Sequence, residues 1–225
     1  MIIIKIKDEE PLDLDEIRKR FIKYTRKGFQ LIPKIENPKI LDVGCGTGVP
    51  TIELAKLSGG KITAMDINTK ELKILDKKII KQKLNNQIKT INKSLFNNNF
   101  EDHSFDIIWA EGVFHIIGFK EGFEACHRIL KDKGFLVLNS EIKKIKNYLK
   151  NLDSLGYKLY DCYKLPDEIW WDEFYEPLER SIKSVLNNNP NLKNDKQILR
   201  FQDEIVMVKS NPKDFDTAFY VLQKI

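Results

Sequence analysis

The sequence is poor in cysteine and has no long apolar run. Its 225 residues include three cysteines, an odd number too small for a disulfide framework, so we expect a reducing, cytoplasmic setting. No apolar stretch approaches the ~18–20 residues that cross a bilayer, which predicts no membrane insertion. The opening Met1-Ile2-Ile3-Ile4 leads into lysine and acidic residues, unlike a signal peptide. A disulfide-rich secreted domain and a membrane-spanning protein are therefore both disfavoured.

Metal-binding and nucleotide-hydrolysis motifs are also absent. The three histidines and three cysteines show neither C-x-x-C nor H-x-x-x-H spacing, so we predict no metal site. The phosphate-binding pattern G-x-x-x-x-G-K-[ST] does not occur either. The sequence indicates neither a zinc protein nor a nucleotide hydrolase.

Charge of both signs is abundant but not concentrated. There are 38 Lys+Arg and 33 Asp+Glu, a formal net charge of +5, and 42% of the residues are hydrophobic. The lysines are spread along the chain and interleaved with acids, so a solvated surface explains them at least as well as nucleic-acid binding does. The length is ample for a self-sufficient core and predicts one domain with an elaboration.

Strand and helix patterns alternate along the chain. Apolar segments typical of strands at 39–43 and 61–66 are each followed by helical periodicity. Further strands are predicted at 87–91, 105–110, 135–139, about 157–163 and 215–222. This alternation predicts an α/β fold with a Rossmann-like, seven-stranded, mostly parallel sheet and helices on both faces. A leading helix over 14–32 and a helical insertion before the last strand complete the predicted fold.

Three glycines follow the first predicted strand, in Gly44-Cys45-Gly46-Thr47-Gly48. Without side chains, a ligand can approach the backbone, and the next helix presents its N-terminus to a negative group. The dinucleotide pattern G-x-G-x-x-G is not matched, because the third glycine comes one position early. Asp66 ends the second strand, where a carboxylate can accept hydrogen bonds from ribose hydroxyls, so an adenosine-containing ligand is predicted. The alternative is that Asp66 only helps to cap the next helix with Asn68 and Thr69.

The segments 40–48 and Met65-Asp66-Ile67 resemble the class I S-adenosylmethionine-dependent methyltransferases. The similarity extends through 104–112 and 127–137, and it is greatest to the small-molecule branch related to ubiquinone and menaquinone biosynthesis. It covers about residues 35–142. The resemblance implies methyl transfer from S-adenosylmethionine to a small-molecule acceptor, with S-adenosylhomocysteine as the product.

The resemblance also implies a layout for the chain. Residues 1–225 would form one methyltransferase domain, with an N-terminal helical extension over 1–35 and a cofactor-binding core over 36–164. A helical insert or lid would occupy 165–212, and the last strand 213–225. We expect a monomer or a homodimer.

Cofactor contacts are implied at matching positions: Asp42, Gly44, Cys45, Gly46, Gly48, Asp66, Ile67, Ser94, Leu95 and Glu111. The three glycines would lie along the methionine and ribose, with Cys45 among them as a small buried residue. Asp42 would orient the loop or bind the amino group. Asp66 would bind the ribose, while Ile67 and Ser94-Leu95 would contact the two faces of the adenine. Relatives often carry an acid in that last loop, which this chain lacks.

Two residues near the fourth strand are candidates for catalysis. His115 can act as a general base, because a neutral imidazole accepts a proton near pH 7; the alternative is a packed histidine. Glu111 lies at the carboxyl edge of the sheet and could face the cofactor's ammonium group or the substrate; the alternative is a helix-capping acid. Methyl transfer from a sulfonium depends mainly on alignment, so neither residue is obligatory.

The predicted insert carries an aromatic cluster with Trp170, Trp171 and Tyr175 as candidate substrate-binding residues. The same cluster suits a helix that docks on the core. Rival functions are methylation of RNA or protein, and a non-catalytic subunit that binds an adenosyl ligand. Nucleic acid is the less favoured partner, because no basic block or appended RNA-binding module is evident.

Overall fold

The structure, a computed structural model, describes residues 12–225. The apolar opening Met1-Ile2-Ile3-Ile4 lies outside the described residues. Among the described residues, no helix is long and apolar enough to span a membrane.

Seven strands form one sheet, as the alternating pattern predicts. They are β1 Lys39–Val43, β2 Lys61–Asp66, β3 Ile88–Asn92, β4 Phe105–Glu111, β5 Leu130–Glu141, β6 Tyr157–Lys164 and β7 Thr217–Lys224. Their order is β3-β2-β1-β4-β5-β7-β6. The pairs from β3 to β5 are parallel, whereas β7 runs antiparallel to both β5 and β6. The prediction of a mostly parallel, Rossmann-like α/β sheet is therefore confirmed.

Helices connect the strands. They are α1 Asp15–Arg18, α2 Ile22–Gln30, α3 Val49–Ser58, α4 Thr69–Lys81, α5 Phe114–Ile117, α6 Phe119–Ile129, α7 Ile142–Leu149, α8 Glu176–Asn188 and α9 Lys196–Ser210. Pro50 lies in the first turn of α3, where its missing N–H costs nothing. The Asn68 side chain accepts hydrogen bonds from two backbone N–H groups and caps α4. Both α8 and α9 fall between β6 and β7, which confirms the predicted insertion before the last strand.

The leading helix is not continuous over 14–32. A 3₁₀ turn at Lys19–Phe21 separates α1 from α2. The two parts bury their apolar residues in different cores: Ile17 of α1 belongs to a cluster with residues of α8 and α9. In α2, Gly28 lies against the ring of Phe219 on β7. One uninterrupted helix was therefore a wrong prediction, because the periodicity does not reveal the change of packing partner.

The sheet core is apolar on the face that receives α5, α6 and α7. Phe123 and Ile145 are fully buried there. On the opposite face, Trp109 of β4 is also fully buried and lies against Phe29 of α2 and Phe219. This second face carries the buried polar groups described below.

The described residues divide into two compact units. The larger comprises Ile22–Asp167 and Asp216–Ile225 and contains the whole sheet. The smaller comprises residues 12–21 and Glu168–Phe215 and has its own buried cluster, which includes Leu178, Ile198 and Phe201. The division into one domain with an insert stays a prediction.

Candidate functional site

The glycine turn joins β1 to α3 at the carboxyl edge of the sheet. Gly44, Gly46 and Gly48 all have positive φ angles, of 68°, 54° and 79°. A Cβ at Gly48 would lie 2.2 Å from Leu75 Cδ1, so packing against α4 also excludes a side chain there. The backbone N–H groups of Gly44 and Cys45 donate to the carbonyl of Met65. These bonds fix the turn against the end of β2.

Asp66 lies at the end of β2 and is bonded directly to the glycine turn. Its Oδ2 accepts a 2.8 Å hydrogen bond from Gly46 N, and its Oδ1 accepts one of the same length from Asn68 N. The helix cap itself is Asn68, so Asp66 supports the cap and the turn together. A carboxylate oxygen has a second lone pair, which leaves Asp66 able to accept a bond from a ligand hydroxyl.

Two apolar side chains near these strand ends are exposed to solvent. Ile67 is 74% exposed and Phe96, in the loop after β3, is 53% exposed. Leu95 is only 4% exposed and packs in the sheet core, while Ser94 is half-buried. Flat apolar surface is what an adenine ring needs on its faces. Phe96 was not among the predicted contacts, although it stands in the same loop.

Asp42 is buried beneath the glycine turn. Its Oδ2 accepts a 2.5 Å hydrogen bond from the Thr51 hydroxyl, which connects β1 to α3. Burial raises the pKa of Asp42 to about 7, although the bond from Thr51 opposes this shift. The geometry suits the role of orienting the loop.

Glu111 ends β4 and forms a small polar network. Its Oε1 accepts a 2.9 Å bond from Thr25 Oγ1 on α2 and a 2.8 Å bond from Trp109 Nε1. Desolvation raises the pKa of Glu111 to about 7, and the charge of Asp42 contributes in the same direction. The N-cap of α5 is Val113, which makes no side-chain cap bond, and Glu111 instead connects α2 to β4.

His115 lies on the exposed side of α5. Desolvation and the charge of Lys144 lower its pKa below the usual 6.5, so the imidazole is neutral at pH 7. That protonation state suits a general base, and the role stays a prediction.

Three aromatic residues predicted to bind substrate all lie in the smaller unit. Trp170 stacks on Phe21 with 4.6 Å between ring centroids. Lys209 Nζ lies 5.0 Å from the ring of Trp171, and the Tyr175 hydroxyl is 3.5 Å from Glu204. These contacts give the cluster a packing role within its own unit, and substrate binding stays a prediction.

Asn139 is a buried polar residue that was not among the predicted site residues. It lies in β5 opposite Glu111 and is 6% exposed. In the part of the chain that the structure describes, its Nδ2 has no hydrogen-bond partner. A buried amide without a partner is costly, which makes the position a candidate for ligand contact. The signal in the sequence was a polar residue directly after the apolar run 135–138.

Candidate metal-binding clusters are absent from residues 12–225. No group of three or more histidine, cysteine or acidic side chains there has the arrangement of a metal site.

Comparison with protein families gives one match, to a family described as a methyltransferase domain, over residues 41–138. Sterol 24-C-methyltransferase ERG6A of Gibberella zeae is 34% identical over 97 residues, which are 43% of this chain and 26% of that protein. Demethylmenaquinone methyltransferase of Porphyromonas gingivalis is 26% identical over 146 residues, covering 64% of this chain and 58% of that protein. The chain thus spans about a quarter of the sterol relative and somewhat over half of the menaquinone relative.

Solved structures share the fold over almost the whole chain. The [4+2]-cyclase SpnF superposes with a TM-score of 0.77 at 16% identity, covering 97% of this chain and 84% of that one. A methyltransferase from Geobacter sulfurreducens, solved with S-adenosylhomocysteine, gives 0.72 at 15% identity, covering 98% and 95%. At such low identity these structures establish the fold and leave the reaction to be argued from the site.

Proposed function

We propose that this chain, whose residues 41–138 match a family described as a methyltransferase domain, transfers a methyl group from S-adenosylmethionine to a small-molecule acceptor. The observation that carries the proposal is the bond between the Asp66 carboxylate and the Gly46 N–H. This bond brings a carboxylate that can bind a ribose next to a turn that contains three glycines, at the carboxyl edge of the sheet. Both named relatives are methyltransferases of small molecules, which supports the acceptor class.

The residues present fit the proposed cofactor. Gly44 is exposed, so the backbone of the turn is open to a ligand. Asp66 would accept bonds from the ribose hydroxyls, and the exposed Ile67 and Phe96 would cover the adenine. Asp42 and Thr51 hold the turn from below. When bound, the cofactor supplies an electrophilic methyl group on a sulfonium.

Glu111 is the better-placed base for the acceptor. Thr25 and Trp109 both bind its Oε1, which leaves Oε2 to receive the proton that the acceptor atom loses as it gains the methyl group. A pKa of about 7 keeps a large fraction of the carboxyl ionised at neutral pH. Asn139, opposite Glu111 in the sheet, would donate its free N–H to the same acceptor group. His115 is the alternative base.

A cytoplasmic setting is part of the proposal. The three cysteines are all free, and two of them, Cys45 and Cys126, are buried. Burial raises the pKa of both thiols well above the ordinary value, so neither forms a reactive thiolate at neutral pH. Free thiols are the normal state in a reducing compartment.

The test is methyl transfer itself. The protein is incubated with methyl-labelled S-adenosylmethionine and a panel of quinols, phenols, sterols and amines, and S-adenosylhomocysteine is quantified. We expect acceptor-dependent product that Glu111→Gln reduces and Glu124→Gln, an exposed acid on α6, does not. Tight cofactor binding without turnover on any acceptor would favour the non-catalytic subunit, and turnover on RNA or protein alone would favour those substrates.

A further inference from the structure

One face of α4 carries four exposed lysines in a line: Lys70, Lys73, Lys77 and Lys81. At 3.6 residues per turn, they fall within an arc of about 80° and extend over roughly 16 Å along the helix. The opposite side of α4 packs on the protein through Leu72, Leu75 and Ile79. The lysine line is therefore the outward face of the helix.

These four lysines form no ion pair with the residues that the structure describes. The acids of α4 point elsewhere: Asp76 accepts a bond from Thr90, and Glu71 reaches towards Gly46. Like charges three and four residues apart on a helix repel each other. On α8 and α9, by contrast, basic residues are matched with acids four positions away, in Glu176–Arg180, Glu179–Lys183 and Arg200–Glu204. The lysines of α4 thus lack the acids four positions away that α8 and α9 provide.

Two isoleucines border the line of lysines. Ile80, on one side, is 64% exposed, and Ile74, on the other, is 38% exposed. An exposed apolar border beside lysines suits a lipid interface, where apolar side chains enter the headgroup region and lysine stems extend outwards to anionic groups. Lysines also bind nucleic-acid phosphates, but sites for single strands add aromatic side chains that stack with bases, and α4 has none.

We propose that this face of α4 binds the surface of a bilayer that contains anionic lipid. The helix would lie in the plane of the interface, with its four lysines on the phosphates and Ile74 and Ile80 inserted between headgroups. α4 begins three residues after Asp66, so docking places the carboxyl edge of β2 beside the membrane. Binding of this face to a bilayer does not depend on methyl transfer.

The experiment is vesicle co-sedimentation of the full chain. Vesicles of phosphatidylcholine alone are compared with vesicles that contain about one quarter phosphatidylglycerol. We expect binding to the anionic vesicles only, and its loss when the salt concentration is raised from about 0.1 M to about 0.5 M. Each lysine at an anionic surface contributes roughly fivefold, so the combined variant K70Q/K73Q/K77Q/K81Q should bind at least tenfold more weakly.

A variant with the same loss of charge distinguishes an effect of the lysine line from an effect of the protein's net charge. The variant K56Q/K120Q/K150Q/K193Q removes four exposed lysines from other elements and should retain most of the binding. Ile80→Ser should weaken binding severalfold without any change of charge. Thermal unfolding of each variant checks that α4 remains folded.

Three outcomes would overturn the proposal. One is the absence of binding to anionic vesicles at the lower salt concentration, and another is equal loss in the two quadruple variants. The last is that the protein does not bind vesicles but binds a short polyuridine RNA, and that the quadruple α4 variant loses this RNA binding. That result would assign the lysine line to nucleic acid.

Discussion

Replacing Glu111 tests the buried polar network through its effect on stability. Its pKa is raised from 4.5 to about 7, so the folded protein keeps a proton that the unfolded chain releases between those values. The folded state binds more protons in this window, and the free energy of unfolding therefore falls as the pH rises through it. The pKa shift of about 2.5, at about 1.36 kcal/mol per pKa unit, corresponds to about 3 kcal/mol of folding stability. This loss is complete above pH 7 and absent well below pH 4.5.

Glu111→Gln removes the titrating group but keeps an oxygen that accepts from Thr25 and Trp109. Urea unfolding of the variant and the wild type at pH 5 and pH 8 measures the effect. From pH 5 to pH 8 the free energy of unfolding of the variant should rise by about 2.5 kcal/mol relative to that of the wild type, because a small part of the loss has already occurred at pH 5. Asp42 contributes its own pH dependence to both proteins. Glu124→Gln, which replaces an exposed acid of α6, is the matched control. If the free energies of unfolding of variant and wild type differ by the same amount at both pH values, Glu111 does not have the raised pKa that its burial predicts.

The other predictions concern the turn and the acceptor side. Asp66→Ala should weaken S-adenosylhomocysteine binding by about 1.5–3 kcal/mol in calorimetry, because charged hydrogen bonds are lost, and an unchanged affinity would mean that Asp66 does not contact the ligand. Gly48→Ala should lower the free energy of unfolding by at least about 1 kcal/mol, because φ is +79° and Leu75 occupies the space; a neutral result would contradict the packing. Asn139→Leu should stabilise the fold by about 1 kcal/mol while it slows turnover, and a loss of stability would show that the amide has a structural partner. His115→Ala should leave cofactor affinity unchanged, and a large fall in kcat would move the role of base from Glu111 to His115.

The fold could be predicted because local signals agree with it. Each strand and helix has its own periodicity, and Gly44, Gly46 and Gly48 occupy positions where a positive φ is needed. The bounds of β1 and β2 match the prediction to the residue. Strand bounds and glycine turns of this kind are determined by residues that are neighbours in sequence, so the pattern within one element is enough to predict them.

The network around Glu111 could not be predicted, because its partners are distant in sequence. Thr25 lies 86 residues before Glu111 on a helix whose pattern only shows one buried face. The break at Lys19–Phe21 and the burial of Leu95 likewise depend on which surfaces meet. Asn139 carried a visible signal, a polar residue directly after the apolar run 135–138, but only the fold shows that it lies opposite Glu111.

Calorimetric titration with S-adenosylmethionine, S-adenosylhomocysteine and NAD tests whether the glycine turn and Asp66 bind the proposed cofactor. We expect both adenosyl ligands to bind with a dissociation constant on the order of micromolar, and NAD not to bind. Binding of NAD, or the absence of binding by both adenosyl ligands, would contradict the assignment of the glycine turn and Asp66 as the cofactor site.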